Sequence, residues 1–302
     1  MIDLEKKTSI LVAVSGGVDS IYMLHTLINR GYETLGVAHF DHMIRETSEK
    51  DALLVEAEAN KYKLPFFAIK ENIPEMAKQE KKSLELLARE RRRQFFYSIM
   101  DEREYTWLAL GQHLDDQAET VLYNFIRGSG VRGLAGMKAL DEEQKIFRPL
   151  FNLSKKEIYE KATELNLTWI EDETNHGEEN DRSWLRNIVL PELESRRSGV
   201  KKVLANTALR FQELSEFLTL EAQKHVGDWY QIDLGKFKKH VPALQAEILA
   251  LLWEYHNGSR KDFKQTLVNE VLRWIHGNPE FNSWVYFGSR RLVFHKEKIL
   301  VD

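Results

Sequence analysis

The segment Ser9-Ile-Leu-Val-Ala-Val-Ser-Gly-Gly-Val-Asp-Ser20 decides the fold of this 302-residue chain. Its apolar run ends at Ser15-Gly16-Gly17, which predicts a buried strand that stops at a tight turn. Apolar residues then recur at helical spacing from Ser20 to Arg30, and Gly31 stands where a helix-ending glycine belongs. A strand, a turn and a helix in this order are typical of a parallel α/β sheet.

Strand-like and helix-like segments continue to alternate as far as residue 127. Strands are predicted at 34–40, 66–69 and 107–110, and helices at 47–62, 83–100 and 115–127. Further along, an edge strand is predicted at 146–150 and one more strand at 168–170. Between them, Ser154-x-x-Glu157 is the pattern of a capping box that opens a helix. The predicted fold class is therefore α/β, a Rossmann-like doubly wound parallel sheet with helices on both faces.

Length and pattern together predict two domains. Hydrophobic residues make up 43% of the chain, which supplies enough apolar material for real cores. After residue 200 the pattern changes to three amphipathic helices, at 203–226, 243–256 and 262–276, and a hairpin of 283–287 with 291–295. We therefore expect a catalytic domain in residues 1–200 and a smaller, mainly helical domain with a C-terminal hairpin in residues 201–302.

Composition excludes several classes of protein. The chain has no cysteine, which rules out disulfides, Cys-ligated zinc, iron–sulfur clusters and thiolate chemistry. It has no apolar run of the roughly 18 residues that span a bilayer, and its first residues are unlike a signal peptide. We therefore expect a cytoplasmic protein without a membrane partner. The net charge of −4 hides basic clusters at 78–93 and 196–202, so a nucleic acid would be held by local patches.

The turn Ser15-Gly16-Gly17-Val18-Asp19-Ser20 predicts a phosphate-binding loop. It follows a strand and opens a helix, where free N–H groups and the helix dipole favour an anion. The two glycines let backbone amides close on phosphate oxygens, and the serines add hydroxyl donors. An ordinary turn capped by Asp19 or Ser20 is the alternative. The glycines at 128, 130 and 133 follow a helix, so they predict a loop at the mouth of the site and not a dinucleotide motif.

Histidine and aspartate residues cluster after two predicted strands, at His39-Phe-Asp41-His42 and at His113-Leu-Asp115-Asp116. Both clusters should face the phosphate loop. Taken alone, they fit either a metal site or histidines that orient loops. Aspartate oxygens suit Mg²⁺ that is held jointly with the phosphates of a ligand, which we favour over a zinc site.

Two pairs of charged residues are expected to share helix faces. Asp116 and Glu119 are either partners of the helix dipole or a carboxylate pair that holds an ammonium group. Arg89 and Arg92 suit phosphate or base recognition through paired hydrogen bonds. In the last hundred residues, Trp229, Trp253, Trp274 and Trp284 are predicted to pack in the core, and Lys236, Lys238, Lys239, Arg290 and Arg291 to contact phosphates.

Taken in order, these motifs resemble the tRNA(Ile)-lysidine synthetase family of the PP-loop ATP-pyrophosphatase superfamily. The loop alone is similar to the superfamily at large. The family motifs run from residue 9 to Leu193 and comprise His39-Phe-Asp41-His42 with Arg45, Ala88-Arg89-x-x-Arg92, His113-Leu-Asp115-Asp116-Gln117-Ala-Glu119-Thr120, Arg127-Gly128-Ser-Gly130 with Gly133-Leu-Ala, Arg148-Pro149-Leu150 and Glu171-Asp172-x-x-Asn175.

The resemblance implies an ATP-dependent ligase that joins free L-lysine to C2 of the wobble cytidine of tRNA(Ile) with a CAU anticodon. An adenylated cytidine would form first, with release of pyrophosphate and then AMP. The implied ATP contacts are Ser15, Gly16, Gly17, Val18, Asp19, Ser20, His39, Asp41, His42 and Arg45, with Mg²⁺ held through ATP at Asp19. The expected catalytic residues are Asp19, Arg92, His113, Asp115, Asp116 and Glu119. Lysine and tRNA are assigned to Asp116, Glu119, Arg89, Arg182 and Arg186. The resemblance also implies that residues 1–200 form a PP-loop ATP-binding catalytic domain and that the helical domain of residues 201–302 binds tRNA.

The sequence departs from the family pattern at two positions and leaves other functions open. The family pattern commonly has an aromatic residue at the position of Arg93 and an asparagine at the position of Ser183. These two differences concern RNA contacts and not the ATP loop. The alternatives are a relative that thiolates or amidates its substrate and a non-catalytic RNA-binding relative. Thiolation in the relatives needs cysteines that this chain lacks, and the intact loop argues against a binding module. A homodimer is left open.

Overall fold

The computed structural model describes residues 3–44, 48–171, 181–260 and 262–302. Arg45 and most of the predicted Glu171-Asp172-x-x-Asn175 motif lie outside these ranges. The chain divides into two compact units, Met1–Leu209 and Arg210–Asp302. The domain boundary at residue 200 stays a prediction. Every helix within the described ranges falls short of the length and apolarity needed to cross a membrane.

The first unit is built on a six-stranded sheet. Its strands are β1 (Ser9–Ala13), β2 (Thr34–Asp41), β3 (Phe66–Lys70), β4 (Trp107–Ala109), β5 (Leu140–Asp141) and β6 (Ile146–Phe147). They lie in the order β3-β2-β1-β4-β6-β5, all pairs being parallel except the edge pair of β5 with β6. This arrangement confirms the predicted doubly wound parallel sheet.

Helices cover the sheet and complete the unit. They are α1 (Val18–Asn29), α2 (Ser48–Lys61), α3 (Ile73–Glu80), α4 (Leu84–Arg103), α5 (Leu114–Ile126), α6 (Val131–Leu134), α7 (Lys155–Glu164), α8 (Asp181–Trp184), a π-helical turn (Leu185–Val189) and α9 (Leu190–Arg196). The capping box that opens α7 is confirmed, because Ser154 and Glu157 exchange side-chain and backbone hydrogen bonds. Helix α3, which begins after the Asn72 cap, was not predicted.

One predicted strand, at 168–170, is wrong. Within the described residues this segment pairs with no strand, and the backbone N–H of Ile170 instead donates to the carbonyl of Gly16 at 3.0 Å. The side chain of Trp169 packs against the core beside Tyr159, with ring centroids 5.7 Å apart. A short apolar stretch can therefore bury its side chains against a helix and hydrogen-bond to a loop without joining a sheet.

Strand β1 positions the site. Its residues Ile10, Leu11 and Val12 are completely buried between the covering helices, and each such side chain stabilises the fold by about 1.5–3 kcal/mol. From β1 the chain builds β2 and β3 on one side and then crosses to β4 on the other. Ligands of such sheets bind at the carboxyl ends of the strands where this reversal occurs. The loops after β1 and β4 therefore face the predicted ligand position.

The second unit combines helices with a small antiparallel sheet. Its elements are α10 (Val200–His225, which begins in the first unit), β7 (Gln231–Asp233), α11 (Leu234–Phe237), α12 (Pro242–Asn257), α13 (Gln265–His276), β8 (Trp284–Phe287), β9 (Arg290–His295) and β10 (Lys298–Val301). The predicted hairpin is confirmed as β8 and β9. It belongs to a sheet of order β7-β10-β9-β8, whose other two strands were not predicted.

The core prediction for the tryptophans holds in part. Trp253 is buried, and Trp229 and Trp274 pack against the same apolar cluster. Trp284 is 45% exposed, so its assignment to the core is wrong. The cause is the period of two along β8, because Val285 and Phe287 occupy the inner face and leave Trp284 on the outer one.

Candidate active site

The loop between β1 and α1 is shaped by its two serines. The hydroxyl of Ser20 accepts from the backbone N–H of Ser15 at 3.1 Å and donates to the carbonyl of Gly17 at 2.9 Å. Gly16 has a φ of +94°, a conformation that suits glycine. Gly17 caps α1 without any side-chain hydrogen bond to the first turn, so backbone N–H groups at this helix end remain for a ligand. The local geometry fits an anion site.

A cavity of about 470 Å³ opens beside this loop. This volume is in the range of small-molecule sites. The predicted site residues that line it are Ser15, Gly17, Asp19, Ser20, His39, Asp41, His42 and Arg92, together with Gly111 and Gln112, which were not predicted. The fold therefore brings together residues from the ends of β1, β2 and β4 and from α4. Arg89 is exposed on α4 and does not line the cavity.

Two residues from β2, Asp41 and His39, make hydrogen bonds that fix neighbouring segments of the chain. The carboxylate of Asp41 accepts from the N–H of Met43 at 2.8 Å and from the hydroxyl of Ser48 at 3.1 Å. Asp41 thus fixes the turn after β2. His39 donates from Nδ1 to the carbonyl of Val14 at 2.9 Å, which leaves its Nε2 as an acceptor. That buried Nε2 has no hydrogen-bond partner within the described part of the chain.

His42 is held neutral. Burial, and then the charge of Arg92, lower the pKa of His42 to about 4. Its ring lies 4.5 Å from that of Phe40, and its buried Nδ1 has no partner among the described residues. A neutral imidazole beside Arg92 presents hydrogen-bonding atoms to the cavity without adding a second positive charge.

Asp19 joins the loop to α7. Its Oδ2 accepts from the ammonium of Lys155 at 2.6 Å. Its Oδ1 is buried and lacks a hydrogen-bond partner among the residues that the structure describes. No group of three or more His, Asp or Glu side chains in the described ranges is placed to hold a metal ion. This unpartnered carboxylate oxygen fits Mg²⁺ of the kind that is shared with substrate phosphates, which needs only one or two protein carboxylates.

His113 connects the phosphate loop with the carboxylates of α5. It caps α5 in two ways. Its ring Nδ1 accepts from the backbone N–H of Asp115 at 3.2 Å, and its backbone N–H donates to the carboxylate of Asp116 at 2.9 Å. Its Nε2 lies 3.8 Å from Asp19 Oδ1 and 3.5 Å from Asp116 Oδ2. Because Nδ1 accepts, Nε2 carries the proton of the neutral ring and points it at these two carboxylates.

Asp115 is a structural tie in this arrangement. Its Oδ1 accepts from the backbone N–H of Lys155 at 3.1 Å, and its Oδ2 pairs with the ammonium of Lys201. The side chain is 10% exposed. Asp115 therefore holds the N-termini of α7 and α10 against α5, and neither of its oxygens faces an open position.

Asp116 and Glu119 do share a face of α5, and Arg186 lies against both. The guanidinium donates to Glu119 through two hydrogen bonds of 2.7 Å each. Its Nη2 lies 3.7 Å from Asp116 Oδ1. The bond to Glu119 raises the pKa of Arg186, so the arginine stays charged. Of the two carboxylates, Asp116 therefore has the more accessible acceptor oxygen, its Oδ1.

Of the remaining predicted arginines, two lie over an aromatic ring and one is buried. The guanidinium of Arg182 stands 5.4 Å from the ring centroid of Tyr123, and that of Arg127 stands 5.2 Å from the same ring. Arg148 is buried and donates to Gln112 at 2.5 Å and to the carbonyl of Lys138 at 2.6 Å. Burial lowers the pKa of Arg148, which acts as a brace behind the loop that follows β4.

The sequence did not single out Lys155 or Gly111, and it marked Lys201 only as a member of the basic cluster at 196–202. Lys155 directly follows the capping serine, so its place on a helix was readable but its partner Asp19 was not. A Cβ at Gly111 would meet the carbonyl carbon of Asp19 at 3.3 Å and the backbone N of Ser20 at 3.4 Å. The position of Gly111 right after a predicted strand was the available signal for this close approach.

Comparison with known proteins shows the family of the chain. A family model described as a PP-loop domain matches residues 1–193. The tRNA(Ile)-lysidine synthase of Chlorobaculum tepidum is 34% identical over 242 residues, which cover 78% of this chain and 72% of that protein. The chain belongs to the tRNA(Ile)-lysidine synthase family.

Other members of the tRNA(Ile)-lysidine synthase family show the same relationship at different lengths. The synthase of Actinobacillus pleuropneumoniae is 31% identical over 90% of this chain and 64% of its own length. That of Petrotoga mobilis is 30% identical over 80% of this chain and 83% of its own length. Among solved structures, the U34-tRNA thiolase NcsA from Methanococcus maripaludis has a TM-score of 0.56 at 21% identity, covering 70% of this chain and 74% of that chain. This last likeness concerns the fold alone.

Proposed function

We propose that this protein ligates free L-lysine to C2 of the wobble cytidine in tRNA(Ile) with a CAU anticodon. The cytidine O2 attacks the α-phosphorus of ATP, and pyrophosphate leaves. The lysine amine then attacks C2 of the adenylated cytidine, and AMP leaves with the electrons of the C2–O bond. Family membership supports the class of ATP-using ligase. As an enzyme acting on tRNA, it would work in the cytoplasm.

The position of His113 carries the proposal. Its Nε2 lies within 3.8 Å of Asp19 in the phosphate loop and within 3.5 Å of Asp116 in the carboxylate pair. A site for phosphates and a site for an ammonium group are therefore separated by one imidazole ring. An amine bound at the second site is close to a cytidine activated at the first, and such proximity removes much of the entropic barrier to attack.

The ATP phosphates are assigned to the α1 N-terminus and its serines. Asp19 Oδ1 would hold Mg²⁺, which stabilises negative charge on the departing pyrophosphate when it is bound. The ammonium of Lys155 is already 2.6 Å from Asp19 Oδ2 and supplies a second positive charge on the same side. The cavity next to the loop, with His39, His42 and Arg92 in its wall, would bind the nucleoside part of ATP.

The lysine amine is assigned to Asp116 and Glu119. A carboxylate has about four lone-pair positions, so Glu119 can accept from an ammonium group while it keeps its two bonds to Arg186. The amine must lose a proton before it attacks. His113 presents a proton at Nε2, so it serves as a donor, and Asp116 Oδ1 is the acceptor that we assign to this proton.

The tRNA is assigned to the arginines around the cavity mouth. Arg92 lines the cavity, while Arg89 and Arg182 lie outside it with exposed guanidinium groups. A wobble base belongs to a single-stranded loop, and such bases are splayed out when a protein reads them. The basic residues at 78–93 and 196–202 would then contact the phosphate backbone, and tRNA binding would weaken steeply with salt.

The experiment measures pyrophosphate release from ATP and incorporation of labelled lysine with CAU-anticodon tRNA(Ile). We expect both products with the wild-type protein and no lysine incorporation without ATP. Pyrophosphate release without lysine incorporation, while a folded protein is present, would refute the proposal. Replacing the anticodon with GAU should abolish incorporation, because guanosine lacks the reacting cytidine carbonyl.

The double variant Asp116→Asn/Glu119→Gln tests the division of roles within the site. It should raise the KM for lysine by tenfold or more and leave ATP binding close to wild type, since charge-assisted hydrogen bonds contribute about 1.5–3 kcal/mol each. The matched control is Glu142→Gln/Glu143→Gln, which removes the same charge from exposed positions in the same unit. Loss of ATP binding in the first variant would contradict the assignment.

A further inference from the structure

Helix α5 carries side chains of opposite charge at the two ends of one stripe. Residues on one stripe of a helix recur at intervals of three or four positions. The stripe that begins at the carboxylates comprises Asp116, Glu119, Tyr123 and Arg127. No acidic residue follows Glu119 before the helix ends, so the stripe changes from acidic to basic. Tyr123 comes four residues after Glu119, a rise of about 6 Å along the helix axis.

A neighbouring segment supplies one arginine to each end of this stripe. Arg186, in the π-helical turn, donates two hydrogen bonds of 2.7 Å to Glu119. Arg182, one turn earlier in α8, places its guanidinium 5.4 Å from the ring centroid of Tyr123. This segment therefore runs antiparallel to α5. We call Asp116 and Glu119 the acidic end of the stripe, and Tyr123, Arg127 and Arg182 its basic end.

Three donor groups converge at the basic end. Arg127 donates from Nη1 to the hydroxyl oxygen of Tyr123 at 3.1 Å, and its guanidinium lies 5.2 Å from the centroid of the same ring. Because the hydroxyl oxygen accepts this bond, the phenol O–H remains to donate. Arg127 and Arg182 are exposed, and among the described residues neither guanidinium forms an ion pair with a carboxylate. The basic end therefore offers N–H and O–H donors to an incoming anion.

The charge at the basic end also favours an anion. Two guanidinium groups bring two positive charges to the C-terminus of α5, whose own partial charge is only about −0.5. A planar guanidinium matches a carboxylate through two parallel N–H donors. Contact with the Tyr123 ring limits the motion of both arginine side chains, so less conformational freedom is lost on binding. These properties suit a carboxylate.

The two ends together fit a ligand with a cation at one end and an anion at the other. Free lysine is such a molecule, because a four-carbon stem separates its ε-ammonium from the carbon that bears the carboxylate. When extended, this stem spans a distance similar to one helical turn of about 5.4 Å. Glu119 and Tyr123 are also about one turn apart. An amino acid with a shorter side chain would leave one end of the stripe unpaired.

We propose that Tyr123, Arg127 and Arg182 bind the α-carboxylate of free lysine, while the acidic end holds its ε-ammonium. The inference rests on the proposed function, since it takes lysine as the substrate, and it adds a site for the other end of that molecule. In this orientation the ε-amine gives its proton to Asp116 and forms the bond to C2 as AMP leaves. A guanidinium has five N–H donors, so Arg182 can contact a tRNA phosphate at the same time.

Cadaverine, which is lysine without its carboxylate, tests the assignment. Incorporation of labelled lysine into CAU-anticodon tRNA(Ile) gives the KM for lysine, and competition by unlabelled cadaverine gives a Ki whether or not cadaverine is itself ligated. With wild type, cadaverine should compete at least about tenfold more weakly than unlabelled lysine, because it lacks the charge-assisted contacts.

Arg127→Gln should raise the KM for lysine about tenfold and leave the Ki of cadaverine within about twofold of wild type. The kcat should change less than about twofold, because the lost contact is made equally in the ground state and the transition state. Arg127→Lys keeps the charge and should recover part of the affinity. Tyr123→Phe keeps the ring but removes the O–H donor, so it should raise the KM about threefold.

The matched control is Arg103→Gln. Arg103 is also exposed and lies over an aromatic ring, 5.6 Å from the centroid of Phe67, but it belongs to α4. Its KM for lysine should stay close to the wild-type value. Circular dichroism melting establishes that each variant is folded, as expected for substitutions at exposed side chains.

Three outcomes overturn the inference. They are an unchanged KM for lysine in both Arg127→Gln and Arg182→Gln, equal losses of lysine and cadaverine affinity in these variants, and wild-type protein that binds the two ligands equally well. A raised KM for tRNA together with an unchanged KM for lysine would assign the arginines to an RNA phosphate instead.

Calorimetric titration of the full-length protein with lysine, in the presence of MgATP, separates this inference from the proposed function. Lysine incorporation with a KM that is independent of Arg127 and Arg182 refutes the inference alone. Lysine binding that weakens in Arg127→Gln, without any incorporation by wild type, supports the carboxylate site and refutes only the ligation. Absence of lysine binding by wild type would refute both.

Discussion

The phosphate loop and the carboxylate segment of α5 lie next to each other but are held in different ways. The serine hydrogen bonds that shape the loop join residues at most five positions apart. In the carboxylate segment, Asp115 binds groups 40 and 86 positions away, and Glu119 binds Arg186, 67 positions away. The loop is therefore shaped by local hydrogen bonds, with distant contacts only from Ile170 to Gly16 and from Lys155 to Asp19, whereas the second region exists only after distant helices have packed.

This difference separates the two roles that we propose for the site, phosphate binding at the loop and amine binding at the carboxylates. A loop whose geometry is encoded locally can bind phosphate in a similar way in any protein that uses the same turn. The carboxylates depend on Lys155, Lys201 and Arg186, which arrive from three other elements. Changes in these distant residues should therefore alter the amine site and leave the loop intact, and contacts that link the two regions should affect both.

The largest effect is expected at Gly111, where a distant segment touches the loop. Valine at this position would push against the backbone of Asp19 and Ser20, which lies 3.3–3.4 Å from the position of a Cβ. We expect Gly111→Val to lower kcat/KM for ATP about 100-fold, because a displacement of about 1 Å in a reacting group costs that much. Steady-state kinetics of pyrophosphate release measures it.

Gly227→Val is the matched control for this substitution. Among the described residues, nothing lies within 4 Å of a Cβ placed at Gly227, and the backbone there is not in the left-handed region. Its kcat/KM should remain within twofold of wild type. A normal rate in Gly111→Val would show that the loop tolerates movement of its neighbours and is more independent than the comparison implies.

The next effect concerns stability. Arg186→Ala leaves the carboxylate of Glu119, which is 8% exposed, without its two charge-assisted bonds. We expect the free energy of unfolding to fall by about 2 kcal/mol, since a buried charged acceptor keeps its desolvation cost when its partner is removed. Urea unfolding measures the loss. ATP binding should be unchanged, because Arg186 does not line the cavity.

Arg196→Ala is the control for Arg186→Ala. Arg196 pairs with Glu192 at 3.0 Å, but their side chains are 79% and 62% exposed. Exposed ion pairs contribute little, so its effect should stay below about 0.5 kcal/mol. Equal losses in the two variants would mean that Glu119 is solvated after all and that the carboxylate segment is less dependent on distant partners.

A smaller effect is expected at Lys155, which contacts both regions through its ammonium and its backbone. Lys155→Met should weaken MgATP binding about tenfold, because one charge-assisted contact near the phosphates is lost, worth about 1.5–3 kcal/mol. Isothermal titration calorimetry measures the Kd. Lys156→Met removes the same charge from a neighbouring side chain that is 84% exposed, and it should bind MgATP normally. Equal affinity in both variants would remove Lys155 from the phosphate site.

The smallest effect at neutral pH is expected at His42. Its folded pKa of about 4 lies below the ordinary value of 6.5, so the unfolded chain binds more protons between these pH values. The stability that comes from neutral His42 is complete above pH 6.5 and is lost as the pH falls through 4. NMR titration of the ATP-free protein should show this imidazole titrating near pH 4. In Arg92→Met the pKa should move upward, and a wild-type value near 6.5 would contradict the burial of His42.

The elements that could be predicted from the sequence are those that depend on local pattern. The strands of the parallel sheet, the helices that follow them and the capping box of α7 all follow from periodicity and from polar residues at helix ends. The predictions that failed concern which other elements a segment packs against. The segment 168–170 packs against Tyr159 and supports Gly16, and Trp284 lies on the outer face of its strand.

The candidate site divides in the same way. Ser15 to Ser20 was predicted as a phosphate loop because the turn, the glycines and the helix start are adjacent in sequence. Asp116 and Glu119 were predicted to share a face because they are three residues apart on a helix. Neither prediction included the ion pair of Arg186 with Glu119 or that of Lys155 with Asp19. The partners are 67 positions apart in the first pair and 136 in the second, and no local pattern links them.

By itself, the sequence determined the sheet type, the phosphate loop, the family motifs and the exclusion of cysteine chemistry. Each of these follows from residue identity or from spacing within one turn or strand. Only the tertiary structure decided that Asp115 is a tie between helices, that Glu119 is already bound by arginine and that Trp284 lies on the outer face of its strand. The physical reason is that ion pairs and exposed faces depend on which elements meet, and that choice is made by packing of the whole chain.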